Sequence, residues 1–171
     1  EHFIYKRRHN FHLVKRIKEG YKMSADWALY ELILFNIIQN STKYNQNFDG
    51  DVVIALTCKA MKKKQRGDKK YILETTVIDT GIGIQPDRQK LLFIPFLELK
   101  DRIGIMKTEN DNIGMGLASS KDICNKMGGD IKLKQSKKGL TIFAFKIPIT
   151  LEKINDEQNE LSLGNLFNPH K

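Results

Sequence analysis

Two asparagines and a lysine interrupt the most apolar stretch of the chain, Glu31–Tyr44, at positions 36, 40 and 43. In a helix these positions are i, i+4 and i+7, so one face presents all three. A buried amide without a partner costs roughly 1–3 kcal/mol. An apolar helix that keeps two of them points to a polar ligand on that face. Asn36 and Asn40 can give a carbonyl oxygen to a hard cation or a hydrogen bond to a phosphate. Mg²⁺ takes oxygen ligands and is commonly shared between a few protein oxygens and nucleotide phosphates. Lys43 adds positive charge for a phosphate oxygen, and Tyr44 offers a flat surface to a purine. Taken alone, the pattern also fits a helix with buried amides and no ligand.

A second constellation is Asp79-Thr80-Gly81-Ile82-Gly83-Ile84. A carboxylate leaving a strand can accept the exocyclic amine of adenine, and adjacent glycines let backbone lie against a flat base. A plain strand-to-loop turn would read the same way. The third is Gly114-Met115-Gly116-Leu117-Ala118, where a glycine pair opens a helix and offers backbone N–H groups to a phosphate. It is no Walker loop, since the chain has no GxxxxGK[ST], and Gly81-x-Gly83 does not continue as GxGxxG.

The elements that would carry these residues follow from periodicity and punctuation. Residues 1–22 are basic and aromatic and suggest one short strand around 11–17. Ser24 or Asp26 caps a helix running to about Tyr44. A turn over 45–50 leads to a β-branched, alternating strand at 51–60. Residues 71–79 form its antiparallel partner across a lysine-rich hairpin at Gly67-Asp68. A loop covers 81–87, a short helix 88–93, and Pro95 ends it. Residues 97–113 show no period and suggest a mobile segment. A helix over 114–127 stops at Gly128-Gly129. Strands at 130–135 and 140–148 flank a turn at 136–139. Residues 151–171 suggest a short helix or a disordered tail. Helix, two strands, helix, two strands, with hairpin joins, predicts an α+β, two-layer sandwich: a mixed, mostly antiparallel sheet with helices on one face.

Length and composition set bounds. The 171 residues suffice for one domain with a real core, and 40% hydrophobic with 29% charged residues is ordinary for a globular protein. No apolar run approaches a membrane span, and no signal-peptide pattern opens the chain. The first residue is Glu1, not Met, so the chain is expected to be a piece of a longer protein. Cys58 and Cys124 make neither a disulfide framework nor a metal knuckle, and they suggest reducing surroundings. The net charge of +9 suits an anionic partner. Much of it lies in Lys62–Arg66 and Lys69-Lys70, which have no aromatics between them for base stacking, so a solvated hairpin tip is expected and no nucleic acid.

The order and spacing of the three motifs resemble the ATP-binding catalytic domain of histidine protein kinases. That domain belongs to the superfamily shared with gyrase-type topoisomerases, mismatch-repair ATPases and ATP-driven chaperones, with its Bergerat-type ATP-binding fold. Asn36–Tyr44 looks like the asparagine box, Asp79–Ile84 the first glycine box, Phe93–Phe96 the phenylalanine box, and Gly114–Ala118 the second glycine box. Thr141 with Phe143 resembles the strand that closes the adenine pocket. The likeness covers roughly residues 24–150, with 1–23 as linker or first strand and 151–171 as a tail.

The resemblance implies ATP and Mg²⁺ as ligands. Asn40 would ligate the metal, Asn36 would support metal or phosphates, and Asn36 and Lys43 would serve the transfer. Tyr44, Ile84, Met115, Leu117 and Thr141 would line the nucleotide site. Asp79 would read the adenine amine above Gly81 and Gly83. Phe93 and Phe96 would anchor a lid over 97–113, where Lys100, Arg102 and Lys107 are further phosphate contacts. Gly114 and Gly116 would place amides on phosphates. The implied partners are an upstream dimerisation domain carrying the acceptor histidine and a response-regulator receiver. The implied setting is two-component phosphorelay signalling by a homodimer on the cytoplasmic side, one that membrane anchoring would suit.

Within the superfamily, hydrolysing relatives typically place a glutamate base four residues before the metal asparagine. Asn36 stands there and cannot take a proton at neutral pH. The chain therefore resembles a presenter of ATP more than a hydrolase. Departures from the pattern are Asp111-Asn112 where glycines are usual, Leu140 where glycine is common, and Leu29 and Leu32 where kinases often carry Arg and Gln. None of His2, His9, His12 and His170 has the family's phosphoacceptor context. Three alternatives stay open: an ATP-gated chaperone- or repair-type protein, a degenerate nucleotide-binding domain, and an anion-binding module built on the lysine hairpin.

Overall fold

A computed structural model of the chain describes residues 8–17, 19–45, 49–60, 71–95 and 115–154. The turn residues 46–48, the lysine hairpin tip, the lid segment with Phe96 and Gly114, and the tail beyond 154 lie outside the described residues.

The elements run β1 (Arg8–Arg16), β2 (Tyr21–Ser24), α1 (Trp27–Lys43), β3 (Asp49–Ala60), β4 (Tyr71–Asp79), α2 (Pro86–Gln89), α3 (Gly116–Lys126), β5 (Asp130–Lys137) and β6 (Leu140–Lys153). They build a six-stranded sheet in the order β1-β3-β4-β6-β2, with β5 also on β6. β1 pairs parallel with β3, and the other ladders are antiparallel. Both long helices pack on one face. This is the expected α+β, two-layer arrangement.

α1 starts where Asp26 accepts a hydrogen bond from the Leu29 N–H at 3.2 Å. Its inward stripe is Tyr30, Ile33, Ile37 and Ser41. The sheet answers with alternate residues: Leu73, Thr75, Val77 and Asp79 of β4, and Thr141, Phe143, Phe145, Ile147 and Ile149 of β6. At the centre, the Tyr30 hydroxyl meets Thr75 Oγ1 at 2.9 Å, and its ring packs 5.2 Å from that of Phe145. α3 ends in a left-handed cap. Gly128 has φ +76°, and the Gly129 N–H reaches the Cys124 carbonyl at 2.8 Å. A Cβ on Gly129 would lie 1.9 Å from the Lys146 oxygen, so only glycine lets α3 turn into β5 here.

Several expectations need correction. The short helix is Pro86–Gln89, not 88–93, with Pro at its start where the missing N–H costs nothing. β2, a four-residue strand, was not foreseen. β6 does not stop at Pro148: it runs to Lys153 and pairs with β2, so residues 151–153 are strand and not tail. On that edge of β6, pairing with β5 ends at Lys146 and pairing with β2 begins at Thr150. Pro148 falls in the gap, where a strand tolerates a residue without an N–H. Among the described residues no helix is long and apolar enough to cross a membrane.

Candidate nucleotide site

Asp79 ends β4 and is only 5% exposed. Its cross-strand neighbours are Val52 on β3 and Thr141 on β6. One carboxylate oxygen accepts the Gly81 N–H at 3.0 Å. Burial raises its pKa, while the Gly81 N–H and the nearby Ser41 hydroxyl pull the other way. Ser41 is itself buried, 3% exposed, on the inward stripe of α1. The Asp79 carboxylate is thus an acceptor held largely out of water with no ion-pair partner among the described residues, and a buried charge of this kind is costly until a donor meets it.

The loop after Asp79 is pinned on two sides. The Ile82 N–H donates to the Tyr44 carbonyl at 3.1 Å, and the Gly139 N–H donates to the Gly81 carbonyl at 2.8 Å. The Ile84 N–H reaches Ser136 Oγ at 2.8 Å, and Gln89 Nε2 reaches the Ile84 carbonyl at 2.8 Å. Ser136 Oγ in turn meets Thr141 Oγ1 at 3.1 Å. Gly81 and Gly83 are both obligatory. A Cβ on Gly81 would lie 2.7 Å from the Tyr44 oxygen. Gly83 has φ +78°, and its Cβ would lie 2.5 Å from the Lys137 carbonyl carbon.

The polar face of α1 divides its work. Asn36 Nδ2 donates to the Gly116 carbonyl at 3.3 Å and to Ser120 Oγ at 3.1 Å. Those acceptors show which atom is nitrogen, and they tie α1 to the first turn of α3. The half-buried Asn40 amide has no side-chain partner among the described residues. Lys43 Nζ sits 5.6 Å from the centroid of the Tyr44 ring. Gly116 opens α3 after Met115, whose side chain makes no capping bond, so no side chain of its own caps the helix start. Leu117 and Phe93 pack against the core.

The structure thus gathers Asp79, Gly81, Gly83, Ile84, Thr141 and the end of α1 at one rim of the sheet, with Asn36 and Gly116 joined beside them. Gly114, Phe96, Lys100, Arg102 and Lys107 lie outside the described residues. Sequence reasoning missed Ser41, Asn45, Thr80, Ser120, Ser136 and Gln89. For two of them a signal existed: Ser41 and Asn45 continue the Ile33–Ile37 stripe at i+4 spacing, so polar residues there were marked for burial.

A family model described as Histidine kinase-, DNA gyrase B-, and HSP90-like ATPase matches residues 25–151. The autoinducer 2 sensor kinase/phosphatase LuxQ of Vibrio harveyi is 27% identical over 125 residues, 73% of this chain and 14% of that protein. The aerobic respiration control sensor protein ArcB of Escherichia coli K12 is 28% identical over 152 residues, 88% of this chain and 18% of that protein. The chain thus spans less than a fifth of the length of these two curated relatives. Among solved structures, full-length ShkA in complex with AMPPNP superposes with a TM-score of 0.63 and 20% identity, covering 87% of this chain and 27% of that one.

Proposed function

Because the chain belongs to the histidine kinase-, DNA gyrase B- and HSP90-like ATPase family, as a domain of the sensor and hybrid histidine kinase type, we propose that it binds ATP with Mg²⁺ and presents the γ-phosphoryl group to a histidine on a separate upstream domain. The observation that carries this reading is Asp79: a buried carboxylate at a strand end, without an ion-pair partner among the described residues, beside a loop that has no room for a Cβ at Gly81 or Gly83.

Each residue has a task in this reading. Asp79 accepts the adenine amine, and the Gly81–Ile84 backbone forms the floor beneath the base. Thr141 holds the far wall through Ser136. Asn40 fits one oxygen ligand for magnesium, because its amide is half-buried and has no side-chain partner among the described residues. Magnesium bound there would complete its shell with phosphate oxygens and water, as it commonly does at nucleotide sites. Magnesium, when bound, neutralises charge on the phosphates during transfer. Lys43 supports the phosphates from the last turn of α1. Asn36 keeps the start of α3 in place with its amide nitrogen, and it has no basicity with which to activate water. Presentation to an imidazole nucleophile fits that chemistry better than hydrolysis. A receiver domain is the next acceptor in this scheme.

Calorimetry on the chain and on Asp79→Asn, with and without Mg²⁺, tests the reading. The expected result is magnesium-dependent, roughly micromolar binding that falls at least about tenfold in the variant, the loss expected for a buried charged hydrogen bond. Equal binding by both proteins would remove Asp79 from the site.

A further inference from the structure

We propose that His9 and Asn45 are positioning residues for the purine-reading loop, and that β1 is the strut through which they act. The inference rests on the reading of Asp79 given above and adds residues that do not touch the nucleotide.

Thr80 lies between Asp79 and Gly81, so whatever holds Thr80 aims the carboxylate. Its hydroxyl accepts the Asp51 N–H at 3.0 Å and Asn45 Nδ2 at 3.3 Å, and its own N–H donates to the Asp51 carbonyl at 3.2 Å. Asn45 Nδ2 also reaches the Asp51 carbonyl at 3.3 Å. Asn45 is fully buried, and its Oδ1 has no hydrogen-bond partner among the described residues. A buried acceptor left unsatisfied is costly, so the site keeps an asparagine for its two donors. The fold makes room for it: a Cβ on Gly50 would lie 2.3 Å from Asn45 Oδ1.

Asn45 is in turn fixed from β1. His9 Nε2 donates to the Asn45 carbonyl at 3.2 Å, and only an Nε2–H can do so, because a carbonyl is acceptor-only. His9 stands in register with Gly50, the residue that admits the Asn45 side chain. His12 Nε2 meets the Asp51 carboxylate at 3.0 Å and adds a second tie. Among the described residues β1 pairs with β3 alone, and Phe11 and Leu13 are 56% and 57% exposed. The strand is thus held, among the described residues, by one ladder and tied further by these two histidines. A shift of β1 is transmitted through His9, Asn45 and Thr80 to Asp79.

The test uses the intact chain with His9→Phe, which keeps strand propensity and removes the donor, His9→Gln, which restores an N–H, and Thr80→Val. ATP and GTP affinities and the Gly81 amide resonance are measured beside thermal stability. The expected result is a threefold to tenfold narrowing, roughly one neutral hydrogen bond, of the ATP-over-GTP preference in His9→Phe and Thr80→Val. The Gly81 resonance moves, and His9→Gln recovers most of the preference. General destabilisation would weaken both nucleotides alike and leave the ratio intact. An unchanged ratio in both variants overturns the inference alone. A wild-type chain that binds no ATP, or binds ATP and GTP equally, overturns the underlying reading and this inference with it.

Discussion

Asp79 illustrates a site residue that works against its own fold. Burial raises its pKa, so in the folded chain the ionised form is disfavoured relative to the unfolded chain. The stability linked to this group is complete below the ordinary aspartate value of 3.8 and is lost as pH rises through the raised folded value. At neutral pH the cost is fully present. Asp79→Asn keeps an oxygen for the Gly81 N–H and removes the charge. The nucleotide-free variant is therefore expected to melt at or above the wild-type temperature at pH 7, with the difference shrinking on acidification below about pH 4. Calorimetric scans at the two pH values check this, and a variant that melts lower at pH 7 contradicts it. Tyr30 presents the opposite case. Its hydroxyl is satisfied by Thr75 in the core, and Tyr30→Phe leaves the Thr75 hydroxyl without that partner. Urea titration should show a loss of about 1–2 kcal/mol with unchanged nucleotide specificity.

Among the elements, glycines at crowded junctions set the geometry of the rim. Gly83→Ala puts a Cβ into the Lys137 backbone at a left-handed φ, and neither the loop nor the β5–β6 turn has a flexible side chain there to yield. A destabilisation of about 1–3 kcal/mol is expected, with weakened ATP binding, readable by melting and titration on one sample. Periodicity made α1, β3 and β4 legible, because each has an apolar stripe of its own, and the glycines at its two ends made α3 legible. The motifs made the site legible through Asp79 and its glycines. β2 was not legible. Its Tyr21–Ser24 run has too few residues to show a period, and its partner segment on β6 lies beyond a proline that reads as a stop. Pro86 did carry its signal, as a first-turn residue, but a loop reading of 81–87 absorbed it. Thr80 and Ser136 stayed hidden for a different reason: a polar residue outside a helical stripe declares its contacts only when the strands around it are assembled.

For the molecule as a whole, the histidines decide what the chain can do alone. His9 is engaged by the Asn45 carbonyl and His12 by Asp51, and neither has a phosphoacceptor context. The chain incubated with ATP and Mg²⁺ is therefore expected to gain no acid-labile phosphate, while an added upstream histidine domain should become labelled; phosphohistidine on the chain itself would contradict this. The longest-range ladder carries a further consequence. Tyr21–Ser24 pairs with Thr150–Lys153, and the Ile154 N–H reaches the Gly20 carbonyl at 3.0 Å. Closing so long a loop costs entropy that local hairpins avoid, and long-range pairings slow folding. During synthesis from the N-terminus, β2 must wait for the end of β6 to leave the ribosome. By then β3 and β4 have been made, so the ladder that ends at Asp79 is free to form while the opposite seam of the sheet is still open.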